Sequence, residues 1–354
     1  MSDNDTSGEL QQQVEKAYAS RTALRIRGGE SKRFYGRSIA GETLDVGRHQ
    51  GIVNYEPTEL VITARAGTPL KELEQVLSDN HQMFGFEPPA FGESATLGGT
   101  IACNLSGPRR AFSGSARDFV LGSRIINGKG ESLHFGGEVM KNVAGYDVSR
   151  LMSGAMGTLG VLLEVSVKVL PKPETEITVV HELGVADSIR KVHALARRSL
   201  PISATRFDDN TLHVRISGTE GAVLAAQKTI GGDVLEIGND FWQRLKEQQS
   251  GFFKTESPVW RLSLVSNSPV LKTEGRTLYE WNGAQRWFIS DSTPEAIRDE
   301  VSRHGGHAVC FRNCPEPVQV FHPLDSGLLK IHRHLKQAFD PESILNPGKM
   351  YEEI

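Results

Sequence analysis

The chain has 354 residues, 38% of them hydrophobic and 23% charged, with a formal net charge of -3. That length exceeds what one core ordinarily supports, so two domains are expected, and the near-neutral balance gives no electrostatic reason to bind nucleic acid. Three cysteines, Cys103, Cys310 and Cys314, are too few for a disulfide framework and fit a reducing compartment. The first twenty residues lack a basic start and an apolar segment, and no apolar run approaches the ~20 residues that cross a bilayer.

Residues 9–18 pattern as a short helix, followed by the strand Leu24-Arg25-Ile26 and the loop Arg27-Gly28-Gly29-Glu30-Ser31-Lys32. A strand ending in two glycines, a hydroxyl and a cation can offer backbone donors and one positive charge to a phosphate; an ordinary turn is the plainer reading. Residues 51–55 and 60–65 read as strands. Thr68-Pro69 is then a helix start, with the hydroxyl as cap and Pro preset at the first helical position. The helix over 70–79 places Leu70, Leu73, Val76 and Leu77 on one face.

Glu87-Pro88-Pro89 stiffens the approach to a glycine-rich stretch, Thr96-Leu97-Gly98-Gly99, then Asn104 and Gly107. These glycines are expected to be too dense for a packed helix. Without Cβ they let the backbone approach a ligand, and free N–H groups there can line an anion-binding concavity. Asn127-Gly128 between strands 119–126 and 131–135 predicts a hairpin with a type I′ turn. A short helix is expected over 146–152, then Gly154, Gly157, Leu159, Gly160 and a strand over 161–170 with Val161, Leu163, Val165, Val167 and Val169 on one face. Pro171-Lys172-Pro173 marks a boundary.

Beyond it the order strand 176–182, helix 186–198, strands 202–207 and 211–217, helix 220–230, strand 234–237 is that of a ferredoxin-like βαββαβ unit. A less regular repeat follows: strand 259–265, a short helix over 269–273, strands 277–281 and 285–290, helix 294–303 and strand 307–312. The two units together predict one larger antiparallel sheet covered by helices, a cap over the nucleotide domain. A helix over 324–338 and a Pro- and Gly-containing tail close the chain. The expected organisation is 1–173, 174–322 and 323–354, the last segment returning to the first domain.

Neither a G-x-G-x-x-G between strand and helix nor a Walker P-loop is present. The residues Arg27, Gly28, Gly29, Glu30, Ser31 and Lys32, with Thr96-Leu97-Gly98-Gly99, Asn104 and Gly107, instead resemble the two pyrophosphate loops of flavoproteins of the vanillyl-alcohol oxidase and p-cresol methylhydroxylase (PCMH) type. Gly157, Leu159, Gly160 and Val161 resemble that family's adenosine-side segment. The ending Asp340-Pro341 through Asn346-Pro347-Gly348-Lys349 matches as well. The resemblance implies an α+β fold with a PCMH-type two-part FAD-binding domain, and places these residues, Asn346 and Lys349 included, around FAD. Glu30 stands where the family's loop has another Gly. The loop carries no His for covalent attachment, so non-covalent FAD is implied.

The run Lys141 to Leu151 and the abbreviated first loop are similar to a narrower family, the FAD-binding E subunits of bacterial glycolate oxidases. That resemblance implies a larger flavoprotein subunit and an iron-sulfur subunit as partners. It also implies oxidation of glycolate to glyoxylate, with electrons passed through those partners, and a cytoplasmic location with inner-membrane association through the complex. The H-x-G-D-x-N-type stretch of catalytic 2-hydroxyacid relatives is missing.

For catalysis, a 2-hydroxy acid needs a cation for its carboxylate and a base for its hydroxyl proton. Arg206, Arg261, Arg286 and Arg312 are candidate cations, each more simply read as a sheet-surface arginine, so no catalytic residue is assigned. His304-Gly305-Gly306-His307 lacks a third ligand, and no metal site is expected. His322, His332 and His334 read as solvated. Cys310-x-x-x-Cys314-Pro315 resembles the end of a cluster motif, but three thiols cannot hold a four-ligand cluster, so reduced structural thiols are expected. A stand-alone FAD-dependent 2-hydroxyacid dehydrogenase and a non-redox assembly subunit remain the alternatives.

Overall fold

Leu24–Arg27 alternates apolar and charged residues and forms the first strand, β1, which pairs in parallel with Glu42–Asp45, β2. The computed structural model describes residues 3–137 and 147–354, and the chain divides into two units. One comprises the chain up to Ser106, Ser115–Lys172 and Pro323–Ile354; the other comprises Gly107–Gly114 and Pro173–His322. Most of the expected motif Lys141 to Leu151, up to Tyr146, lies outside the described residues.

In the first unit the C-terminal tail continues the small parallel sheet. Leu24 N–H donates to the Ile344 carbonyl at 2.7 Å, and Asn346 N–H donates to the Leu24 carbonyl at 3.0 Å. Prolines bar this tail from being a helix, so its backbone groups are satisfied against β1. The remaining strands are β3 (Ile52–Glu56), β4 (Val61–Arg65), β5 (Gln82–Met83), β6 (Val120–Ile126), β7 (Ser132–Gly136), β8 (Val161–Lys168) and β9 (Leu170–Pro171). Five of them form an antiparallel sheet in the order β3-β4-β8-β6-β7. The alternating face of β8 is buried as expected, but on its other face Leu162 joins the core and Ser166 Oγ accepts from buried Thr63 Oγ1, so both are buried too.

Three local expectations are corrected. Gly98 and Gly99 do not prevent a helix: Leu97–Cys103 is helical, and Thr96 Oγ1 accepts the Gly99 N–H at its start. A Cβ on Gly98 would lie 2.6 Å from the Ala66 Cβ, so this glycine permits close packing of the helix on the sheet. Thr68 does not cap the helix Leu70–Asp79; it is fully buried and exchanges hydrogen bonds with the Gly51 backbone, while Pro69 takes the cap position.

The Asn127-Gly128 hairpin exists without a type I′ turn. Its positive φ falls at Gly130, and the Asn127 Oδ1 accepts from the N–H groups of Lys129 and Glu131. Gly128 serves the tail instead. Its N–H donates to the Phe339 carbonyl at 2.8 Å, and a Cβ there would lie 2.3 Å from Asp340 Oδ1.

The second unit holds β10 (Thr175–Glu182), β11 (Ile202–Phe207), β12 (Thr211–Gly218), β13 (Asp233–Val234), β14 (Val259–Ser263), β15 (Arg276–Glu280), β16 (Gln285–Ile289) and β17 (His307–Arg312). Their order is β13-β10-β12-β11-β15-β16-β14-β17, every pairing antiparallel. In repeat terms this reads 4-1-3-2 followed by 2-3-1-4, two ferredoxin-like sheets joined edge to edge through β11 and β15. The helix expected over 269–273 does not form, so the second repeat lacks its first crossover helix. The sequence reading also missed the helix Gly238–Lys246, whose Trp242 donates to Thr178 Oγ1 at 2.8 Å.

Helices Val185–Ala196 and Glu220–Ile230 pack Val192, Leu195, Val223 and Ala226 against the apolar side of the first repeat; Ile297 and Val301 of Pro294–Arg303 do so in the second. The opposite, polar side of the sheet carries charged and amide groups among buried apolar ones such as Leu278, Trp287 and Val309. Cross-strand pairing places His213, Arg206, Glu280 and Gln285 in one row there.

Candidate functional site

In the first unit β1 runs into the loop Gly28–Lys32. Among the described residues, no acceptor meets the N–H groups of Gly28, Gly29, Glu30 or Ser31. Successive unmet N–H groups in a turn form an anion-binding concavity. The segment Ser94–Thr96 lies directly against them: a Cβ on Gly29 would fall 1.4 Å from the Ser94 carbonyl oxygen, and one on Gly28 would fall 2.9 Å from Thr96 Oγ1. The two glycine-rich loops, 66 residues or more apart in sequence, therefore adjoin.

Glu30 keeps the conformation a glycine would supply, with φ of 55°. Its carboxylate turns to Arg25, 2.8 Å from Nη1. Arg27 is likewise engaged, 2.6 Å from Asp45 Oδ2. Lys32 is nearly buried; its Nζ donates to the Ala90 carbonyl at 3.2 Å and lies over the Phe91 ring.

The second loop differs from expectation. Its amides are not free: Leu97 N–H donates to Thr68 O, Gly98 N–H to Ala66 O, Gly99 N–H to Thr96 Oγ1 and Thr100 N–H to Thr96 O. Seven residues of helix start there, and the turn Ala66–Thr68 after β4, with Thr96 itself, takes the donors that sequence reasoning assigned to phosphate. The segment is thus a wall that shapes the first loop. Asn104 ends the helix at φ of 49° and accepts the Arg117 N–H at 3.0 Å. Gly107 groups with the second unit, where its carbonyl accepts from Trp281 Nε1 at 3.0 Å.

The tail reaches the same end of β1. Asn346 Oδ1 accepts the Ile26 N–H at 2.8 Å and its Nδ2 donates to the Met156 carbonyl at 2.7 Å. A Cβ on Gly157 would lie 2.8 Å from that Nδ2, so Gly157 makes room for the clamp. Lys349 Nζ donates to the Arg37 carbonyl, and its own carbonyl and Cε crowd Gly36. Burial pushes the Lys349 ammonium down. Leu159, Gly160 and Val161 pack inward instead: Leu159 and Val161 belong to the core, and a Cβ on Gly160 would lie 2.9 Å from Ile125 Cδ1. Leu97 is core as well.

Sequence reasoning missed Cys103 and Arg25 here. Burial pushes the Cys103 thiol up, opposed by the positive charges of Lys32 and Lys349, so three groups from distant parts of the chain share one neighbourhood. The alternation of β1, which puts Arg25 beside the loop, was the available signal for the second.

In the second unit the arginine candidates separate. Arg206 and Arg261 lie on the polar side of the sheet with Glu280, whose carboxyl burial pushes up to about 7. Trp287 Nε1 and Gln285 Nε2 donate to Glu280 Oε2, and Arg261 Nε donates to Gln285 Oε1. Arg286 is fully buried, and its guanidinium donates to the carbonyls of Gly283, Pro269 and Ser268, a structural role. His307 is on the polar side in register with Ser263, and His322 Nδ1 accepts the Ala308 N–H. Among the described residues no group of three or more His, Cys, Asp or Glu could hold a metal ion, and no helix is long and apolar enough to cross a membrane.

A cradle that a Cβ would fill, lined with unmet amides and closed by a returning C-terminal segment, defines a dinucleotide-binding flavoprotein of the FAD-linked oxidase class, and the sequence comparisons agree. Residues 5–136 match the family described as FAD binding domain, and residues 322–350 match FAD linked oxidases, C-terminal domain. The chain is 48% identical over 350 residues, 99% of both chains, to glycolate oxidase subunit GlcE of Escherichia coli K12, and it belongs to that family of FAD-dependent oxidoreductase components.

D-2-hydroxyglutarate dehydrogenase of Xanthomonas citri is 30% identical over 60% of this chain and 46% of its own, and glycolate oxidase subunit GlcD of Bacillus subtilis 30% over 46% and 35%. A solved alkyldihydroxyacetonephosphate synthase superposes with a TM-score of 0.70 at 15% identity, over 96% of this chain and 75% of that one, which shows a shared fold.

Proposed function

We propose that this chain is the FAD-binding subunit of a glycolate oxidase complex, which oxidises glycolate to glyoxylate and passes electrons to an acceptor through a larger flavoprotein subunit and an iron-sulfur subunit. The observation that carries the reading is the contact of Gly28 and Gly29 with Ser94 and Thr96, which leaves the Gly28–Ser31 amides open to an anion. FAD, when bound, supplies the two-electron acceptor.

In this reading the Gly28–Ser31 amides hold the diphosphate, and the ammonium groups of Lys32 and Lys349 offset its charge. Thr96, Gly98 and Gly99 hold the wall, while Asn104, Gly157 and Asn346 brace the turns around it. The Glu30 carboxylate, paired with Arg25, is kept from opposing the phosphates. The loop has no histidine, which supports non-covalent attachment. A cytoplasmic protein that meets the membrane only through its partners completes the proposal.

A second reading, a self-sufficient 2-hydroxyacid dehydrogenase, is favoured by Glu280, a buried carboxyl titrating near neutrality in a row with Arg206. The register sets a proton acceptor near a cation that is itself 2.8 Å from Asp208. Anaerobic addition of glycolate to the purified chain, alone and with its co-expressed partners, separates the two. Flavin bleaching and dye reduction only with partners present support the complex; bleaching of the chain alone supports the second reading and overturns the first.

A further inference from the structure

Cys310 and Cys314 play no part in the cradle. Cys310 sits on β17, 1% exposed, paired across the sheet with Trp260 of β14. After Arg312 the backbone turns at Asn313, whose φ is 54°, and brings Cys314 back toward the strand. The following loop is fastened there: Cys310 N–H donates to the Val320 carbonyl at 2.8 Å, and Cys314 Sγ lies 3.8 Å from the Val318 carbonyl. Cys314 packs against the apolar cluster that contains Cys310.

The pair is asymmetric. Cys310 is buried, whereas Cys314 is partly exposed. Arg298 of the helix Pro294–Arg303 is held beside the loop by hydrogen bonds to the carbonyls of Gln319 and Phe321. The neighbouring Cys310 and the charge of Arg298 hold the Cys314 thiol below its usual range, while Cys314 and burial push Cys310 up. A partly exposed thiol held below its usual range, packed beside a buried thiol that can resolve it, is the arrangement of an oxidisable cysteine.

We propose that Cys314 and Cys310 form a dithiol that hydrogen peroxide converts to an intramolecular disulfide, with Cys314 attacked first and Cys310 resolving it. The Cys314 thiolate sulfur bonds to one peroxide oxygen, the O–O bond breaks, and the second oxygen leaves as hydroxide, which takes a proton to become water. The resulting sulfenic acid is then attacked by the Cys310 sulfur as its proton is lost. The S–O bond breaks and a second water leaves. The dithiol gives up two electrons and two protons, and the peroxide is reduced to two waters. The disulfide ties the end of β17 to the loop 313–320. Cys103, whose thiol burial pushes up, stays reduced.

The test exposes the full-length chain to one equivalent of hydrogen peroxide, alkylates it with N-ethylmaleimide after denaturation, and maps the products by mass spectrometry. The expected result is a Cys310–Cys314 disulfide with Cys103 alkylated. In Cys310→Ser and, as a folding control, Cys310→Ala, dimedone is expected to label Cys314 alone; in Cys314→Ser, Cys310 stays a thiol. Iodoacetamide at neutral pH is expected to modify Cys314 roughly tenfold faster than Cys103. Both thiols of the pair alkylated after peroxide, a disulfide that includes Cys103, or dimedone on Cys310 first would each overturn the proposal.

Discussion

Gly29 has no room for a side chain, because a Cβ would stand 1.4 Å from the carbonyl oxygen of Ser94. That backbone atom cannot rotate away, so Gly29→Ala must part the two loops. The expected outcome is loss of bound flavin from the purified protein, together with a lowered melting temperature. Gly8→Ala, on a helix where nothing lies within 4 Å of the new carbon, is the matched control. It is expected to keep its flavin and gain about 0.5–1 kcal/mol.

Glu30 departs from glycine in chemistry while retaining its backbone conformation. Glu30→Gly is therefore expected to bind flavin at least as well as the parent. Glu30→Val, which suits a positive φ poorly, is expected to cost about 1–2 kcal/mol. Thermal melts with and without added FAD check both.

Lys336 and Asp340 join the last helix to the tail. Lys336 Nζ reaches Asp340 Oδ2 at 2.8 Å and also donates to the carbonyls of Thr158 and Leu345. Asp340 is 0% exposed and accepts the N–H groups of Ile344 and Leu345. Lys336→Met leaves a buried carboxylate without its cation, and chemical denaturation is expected to show a loss of about 3 kcal/mol or more.

Glu280 makes stability depend on pH in an unusual direction. Burial raises its carboxyl from 4.5 to about 7, so across that window the native state holds more proton than the unfolded chain. Stability from this group is full below 4.5 and is lost as pH rises through about 7. Glu280→Gln, which keeps an acceptor for Trp287, is expected to be the more stable protein at pH 8, by on the order of 3 kcal/mol, and to differ little at pH 4. Equal melting-temperature differences at both pH values would contradict this.

His213 acts in the opposite sense. Burial, then the charge of Arg206, lowers its imidazole from 6.5 to about 4, and the ring stacks on Phe241 at 4.3 Å. Its contribution is full above 6.5 and lost as pH falls through about 4. His213→Gln is expected to flatten the acid limb of the stability profile, measured by denaturation between pH 4 and 7.

Elements that depend on local pattern were legible in the sequence. The double βαββαβ order predicted the eight-stranded sheet, since each repeat's strand order follows from its connections. What escaped prediction depended on contacts between distant residues. Gly98 looked like a ligand-facing glycine, but its partner is Ala66, whose carbonyl takes its amide. Gly128 looked like a turn glycine, but its partner is Asp340. Gly160 and Leu159 resembled a binding motif, and they pack into the core. A missing Cβ is visible in a sequence, whereas whether a ligand or a neighbouring backbone occupies its place is not.

The most direct measurement is the flavin content of the purified full-length chain after FAD-replete expression. A yellow protein is expected, with about one FAD per chain, released into the supernatant by acid precipitation. A colourless chain that takes up no added FAD would contradict the cradle, and a flavin that stays with the precipitate would contradict its non-covalent attachment.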